Sequence, residues 1–189
     1  MYLFFDTETT GLPLSWDAPV EELENWPRLV QIAWLVYDED GIEIEKVSKI
    51  IMPEGFTIPS EASDIHGIST ERAYDEGEDL CEVLEAFMNS LKKCKIMVAH
   101  NMAFDEKIIR AEFLRKNISN NIQQLKKICT MLSSVNLCKL PSHYGYKWPK
   151  LMELHKVLFG VEFEDAHDAL ADIEACAKCF WKLRELHFL

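Results

Sequence analysis

Apolar residues fall in short unbroken runs early in the chain and at helical spacing later. Tyr2 to Phe5, "YLFF", reads as a buried strand, and Leu29 to Tyr37, "LVQIAWLVY", as a second, rich in β-branched and aromatic residues. "DEDG" at 38–41 signals a turn, and Ile42 to Met52 opens with alternation, so it predicts a third strand in an antiparallel hairpin with the second. From Asp79 to Leu91 the apolar positions Leu80, Val83, Leu84, Phe87, Met88 and Leu91 repeat at helical spacing. A short strand from Lys95 to Ala99 follows, then a helix from Phe104 to Lys116. A further helix over 148–160 stops at Gly160, and the longest helical pattern runs from Ala166 to Leu186. Strands first, then helices alternating with short strands, predict an α/β fold with a mixed central β-sheet flanked by α-helices.

The segment 13–27, with three prolines, interrupts the first hairpin as a loop with at most one helical turn. Trp16 and Trp26 lie in it. Because the loop is acidic, packing onto the core is favoured over stacking on a base.

At 48% hydrophobic residues the chain can build a core, and 189 residues suit one domain. No apolar run reaches the roughly 18 residues of a membrane span, and no positively charged start leads into a long apolar core, so neither membrane nor export is expected. Six cysteines, mostly inside apolar stretches, then read as reduced thiols of a cytoplasmic protein. Cys176 and Cys179 form a lone C-x-x-C within a helical pattern, with no second pair at zinc spacing; packing accounts for them. The net charge of −12 argues against tight, nonspecific binding of long polyanions, but not against an enzyme that meets phosphates through bound cations.

The first strand runs straight into Asp6, Thr7, Glu8, Thr9, Thr10 and Gly11. Residues i and i+2 of a strand share a face, so Asp6 and Glu8 project together if the strand persists, and two adjacent anions repel unless something positive lies between them. Alone, both could be solvated turn residues. A second cluster, "VAHNMAFDEKII", places His100 and Asn101 at a strand end and Asp105 in the first turn of a helix, where the helix dipole already favours an acid. In the third, "EDAHDALADIEACAKCF", Asp165 can cap the helix and Asp168 sit in its first turn. Asp172 lies deeper, among small and apolar residues, and needs a partner if its face is buried. His167 stands at the helix start, where a neutral imidazole can act as a base near pH 7. Together, four carboxylates can bind two divalent cations, and oxygen-only ligation suits Mg²⁺ or Mn²⁺ rather than zinc.

"FFDTETTGL", "HNMAFDEKII" and "HDALADIEA", in that order over nearly the whole chain, resemble the three motifs of the DnaQ-like (DEDDh) 3′–5′ exonucleases, a group that includes the proofreading epsilon subunit of bacterial DNA polymerase III. The resemblance implies a ribonuclease H-like fold, with residues 1–189 as one exonuclease domain and 13–27 as a loop insertion. It implies two Mg²⁺ or Mn²⁺ ions held by Asp6, Glu8, Asp105 and Asp172, with His167 as general base. The sister subfamily carries tyrosine four residues before its last acid; here that position is Asp168, and a histidine stands five before. Substrate contacts are expected from Thr7, Thr9, Gly11, Leu12, His100, Asn101 and Phe104. His66, within "DIHGIST", resembles a further segment near the substrate. Expected partners are 3′ ends of DNA or RNA, with single-stranded DNA preferred. For proofreading, a DNA polymerase subunit would act in trans. Two rival readings were weighed. A haloacid-dehalogenase-type phosphatase would need Asp as its second acid, and a docking module for a polymerase or helicase would not need all five residues.

Overall fold

The computed structural model describes residues 1–163 and 168–189. Strand β1 (Tyr2–Thr9) pairs antiparallel with β2 (Leu29–Tyr37), and β2 with β3 (Glu43–Ile50). Helices α1 (Ser60–His66), α2 (Thr70–Glu76) and α3 (Leu80–Leu91) follow, then β4 (Ile96–Ala99), which runs parallel to β1. After α4 (Met102–Arg115) comes β5 (Lys126–Cys129), parallel to β4. The sheet order is β3-β2-β1-β4-β5. Two one-turn helices, α5 (Thr130–Ser133) and α6 (Val135–Cys138), lead to a small hairpin of β6 (Pro141–Ser142) and β7 (Gly145–Tyr146). Helices α7 (Leu151–Phe159) and α8 (Ala169–Glu185) complete the chain.

The two-residue period of β1 divides the core into two layers. Leu3 and Phe5 point to one face, with Ile32, Trp34 and Met97, where α3 and α4 pack through Leu84, Phe87, Ile108, Ile109 and Phe113. Phe4 points to the other, with Ala33, Leu35 and Val98, where α8 packs through Ala169, Ile173, Cys176, Ala177 and Phe180. Helix α7 packs on the back of α8 through Leu154, Cys179 and Leu183. The 13–27 loop contains one short 3-10 turn (Leu23–Asn25) and inserts Ala18, Val20 and Trp26 into the α3/α4 layer. Trp26 is buried and donates its indole N–H to the Pro19 carbonyl (3.0 Å), whereas Trp16 stays half out of the core against Phe104.

Three expectations are corrected. Strand β1 runs on through Thr9 instead of stopping at Phe5, because polar residues at its end still find ladder partners in β2. The last helix starts at Ala169, and Asp168 caps it, accepting from the N–H groups of Leu170 (2.9 Å) and Ala171 (3.1 Å); Asp168 is not a first-turn residue. Asp165, the expected cap, lies outside the described residues. Helices α1 and α2, strand β5 and the β6–β7 hairpin carry no clear periodicity and were not anticipated. They are too short to show a repeat, and only tertiary packing holds them.

Phe180 holds α8 to the sheet: it is fully buried, edge-on to Phe4 (5.0 Å between centroids) and Trp181 (5.1 Å). Phe180→Ala is expected to lower the unfolding free energy by about 3–5 kcal/mol in urea titration. A loss under about 1 kcal/mol would mean that this ring does not hold α8 to the sheet.

Candidate active site

Asp6 and Glu8 share the face of Phe4, so β1 presents both to α8; their register partners on β2 are Ala33 and Gln31. Asp172 sits one turn before Cys176 on α8, at the upper end of the stripe that packs on this face. One carboxylate oxygen from each of Asp6, Glu8 and Asp172 lies within 4.8 Å of the others. Asp105 arrives from the opposite layer, in the first turn of α4. Thr7, pointing to that layer between Asp6 and Glu8, donates its hydroxyl to Asp105 Oδ1 at 2.7 Å. The alternation of one strand thus joins acids delivered by helices on both sides of the sheet.

The electrostatics are unfavourable without a counter-charge. Burial, then the neighbouring Asp105, Asp172 and Glu8, hold the Asp6 carboxyl well above its ordinary range. Burial followed by Asp172 and Asp105 pushes Glu8 up to about 8. Burial pushes Asp105 up to about 7, against the Thr7 hydrogen bond, which favours its charged form. Among the described residues no Lys, Arg or His forms an ion pair with Asp6, Glu8 or Asp105. A set of carboxylate oxygens this crowded fits hard divalent ions such as Mg²⁺ or Mn²⁺.

Polar contacts fix the helices that carry these acids. Gln31, buried opposite Glu8, accepts from the Ala169 N–H (3.3 Å) and donates to Ser48 Oγ (3.1 Å), docking the start of α8 on the sheet. Its sequence signal was the one amide inside the apolar run "LVQIAWLVY", which sequence reasoning passed over. Glu112, fully buried on α4, accepts through one oxygen from Arg28 Nε (2.9 Å), the Leu29 N–H (3.0 Å) and Arg115 (2.9 Å), tying α4 to the start of β2. Losing one partner of such a buried network costs far more than a surface pair.

The remaining expected residues divide. Thr7 donates its hydroxyl to Asp105, and Thr9 closes the turn onto the Gly11 carbonyl (2.7 Å), so both shape the site. Gly11 takes a φ of +146°, open to Gly, and Leu12 beyond it is 72% exposed. Phe104 is half-buried against Trp16. His66 is buried at the end of α1, its Nδ1 accepting from the Ile68 N–H (3.2 Å). His100 is buried, with Nδ1 at 3.0 Å from Thr130 Oγ1 and Nε2 at 2.9 Å from the Pro149 carbonyl. Burial lowers its pKa to about 4 and keeps it neutral. Asn101 caps α4 through its carbonyl, which accepts from the Phe104 N–H (2.8 Å). His167 lies outside the described residues.

The family model RNase_T, described as an exonuclease, matches residues 3–180. DNA polymerase III subunit epsilon of Treponema pallidum is 32% identical over 108 residues, covering 57% of this chain and 44% of that protein. Three-prime repair exonuclease 1 of Homo sapiens is 24% identical over 212 residues, covering 97% of this chain and 64% of that one. Among solved structures, E. coli exonuclease I in complex with a dT13 oligonucleotide superposes with a TM-score of 0.75 at 22% identity, over 97% of this chain and 40% of that one. That likeness establishes the ribonuclease H-like fold. This chain spans less than half the length of the epsilon subunit and of exonuclease I.

The raised carboxyls set a pH dependence. An acid with a higher pKa folded than unfolded stabilises the fold fully below its ordinary value and loses that contribution as pH rises through the folded value. In chelator, the Tm is therefore expected to fall between about pH 5 and about pH 8.5, as Asp105 and Glu8 ionise. Mg²⁺ or Mn²⁺ should raise it more at the alkaline end. A Tm that is flat in pH and indifferent to Mn²⁺ would show that these acids are not mutually strained.

Proposed function

The chain belongs to the RNase_T exonuclease family, and from that premise we propose that it shortens single-stranded nucleic acid, DNA in preference to RNA, from the 3′ end, releasing nucleoside 5′-monophosphates. The observation that carries the reading is the convergence of Asp6, Glu8 and Asp172 from two elements within 4.8 Å, with Asp105 clamped beside them by Thr7. Asp6, Glu8, Asp105 and Asp172 would hold two Mg²⁺ or Mn²⁺ ions. When bound, such ions lower the pKa of an attacking water and offset charge on the leaving 3′ oxygen.

The chain's own residues do the rest. Thr7 keeps Asp105 in place and favours its ionised form, so the site stays ready for cations near neutral pH. The turn closed by Thr9 onto Gly11 aims backbone N–H groups toward the terminal nucleotide, and exposed Leu12 beside it offers an apolar surface for the terminal sugar or base. His167, one residue before the Asp168 cap of α8, takes the proton from the attacking water. The water oxygen bonds to phosphorus as the P–O3′ bond breaks, and the 3′ oxygen takes up a proton from solvent as it leaves, while His167 returns its own proton to solvent. The exonuclease I relative bound to dT13 supports a single strand as substrate. The epsilon-subunit relative supports a polymerase as a partner in trans.

A 5′-labelled single-stranded DNA oligomer should give a ladder shortening one nucleotide at a time with Mg²⁺ or Mn²⁺ and none with excess chelator. The RNA counterpart should be cut more slowly. A chelator-resistant ladder, or full activity in Asp6→Asn, would overturn the metal assignment. His167→Ala should lower kcat roughly 10²–10⁴-fold with an unchanged circular dichroism spectrum. Wild-type kcat in that variant would remove His167 from the mechanism.

A further inference from the structure

Charge is distributed unevenly along this acidic chain. From Phe113 to Met152, forty consecutive residues contain none of the 32 acidic side chains and seven of the 20 basic ones. The end of this run is the β6–β7 arm, "KLPSHYGYKWPK" over 139–150, in which Lys139, His143, Lys147 and Lys150 alternate with Tyr144, Tyr146 and Trp148. The rings are not core. Tyr144, at the tip, is 100% exposed, Trp148 65% and Tyr146 49%, and among the described residues none pairs with another aromatic ring. Lys147 pairs with Glu153, whereas among the described residues Lys139 and Lys150 have no ion-pair partner. Holding three large aromatic rings in water has no folding benefit.

The 130–150 segment that ends in the arm is held at both ends by one residue, His100. The His100 carbonyl accepts from the Met131 N–H (3.1 Å) where the segment leaves β5. Where it returns, His100 Nε2 donates to the Pro149 carbonyl (2.9 Å), and Nδ1 accepts from Thr130 (3.0 Å). His100 directly follows β4, five residues before Asp105. Burial keeps its ring neutral, as this pair of contacts requires, since one nitrogen donates and the other accepts.

The geometry points to the 139–150 arm as a track for the single strand that feeds the carboxylate site. Tyr144, Tyr146 and Trp148 serve as stacking platforms for unpaired bases, and Lys139 and Lys150 as phosphate contacts. The inference rests on the exonuclease reading and extends it to a substrate class. Unpaired bases present the faces these rings can stack on, which a duplex keeps within its own stack. The arm also reconciles a net charge of −12 with a polyanionic substrate: the repulsive surface lies elsewhere and the attraction is concentrated on one protrusion.

The test uses the full chain carrying Asp6→Asn, so that bound oligomer is not degraded, and labelled dT12 in fluorescence anisotropy. Tyr144→Ala with Trp148→Ala is expected to raise Kd about tenfold or more. Lys139→Gln with Lys150→Gln should reduce the slope of log Kd against log salt by about 1.4, the value for two phosphate contacts on a single strand. In the active chain, the Tyr144/Trp148 double variant should lower turnover of dT12 relative to a one-nucleotide ester, the p-nitrophenyl ester of thymidine 5′-monophosphate. Should that double variant fold poorly, Tyr144→Ala alone, at a fully exposed tip, keeps the test. An unchanged Kd and salt slope, or equal losses on dT12 and the ester, would overturn the track. Tight, arm-dependent binding of dT12 with no ladder from the active chain would sustain the track and overturn the exonuclease reading.

Discussion

Like charges forced together in a half-buried space are the constraint around which this molecule is built. Asp6, Glu8, Asp105 and Asp172 would separate if their backbones could yield, since burial strengthens every repulsion among them. They are held because each stands on an element packed into the core at its other end. Strand β1 is the central strand, α8 is locked by Phe180 and by Gln31 at its start, and α4 is tied down by the buried Glu112 with Arg28 and Arg115. The strain is electrostatic and local, and a divalent cation placed among these oxygens would relieve it. Under the proposed reading, metal affinity and apo-state instability would have the same source.

The second organising feature is the use of one strand's two faces. Asp6 and Glu8 look toward α8, while Thr7 between them looks toward α4 and grips Asp105. Because successive side chains alternate, no loop has to reach around the sheet to assemble a site from both layers. The parallel pairing of β1 with β4 brings the ends of both strands to the same edge, so His100 and the start of α4 are adjacent to the acids without a long connection. His100 then holds the return of the arm on that same edge, so the proposed track and the carboxylates would share one anchor.

The negative surface elsewhere complements this arrangement. An acidic body repels a polyanion except at the arm and wherever cations are bound, so a strand that docks elsewhere gains little. Under the proposed function, specificity for an end over an interior stretch would depend on threading the strand along a narrow attractive path, rather than on overall affinity.

The sequence by itself determined the central hairpin, the amphipathic α3, α4 and α8, and the pairing of Asp6 with Glu8, because periodicity over eight or more residues outweighs local ambiguity. Its motif spacing also identified the four acids, since each family motif is local in the chain. Only the tertiary structure decided the rest. That Thr7 bonds to Asp105 and His100 to the Pro149 carbonyl depends on contacts between residues 98 and 49 positions apart, which no local pattern encodes. The short α1, α2 and β5 exist only because neighbours cover them. The acid-free run was visible in the letters, but its meaning came from the fold, which lifts its last segment out of the core and pins it beside the carboxylates.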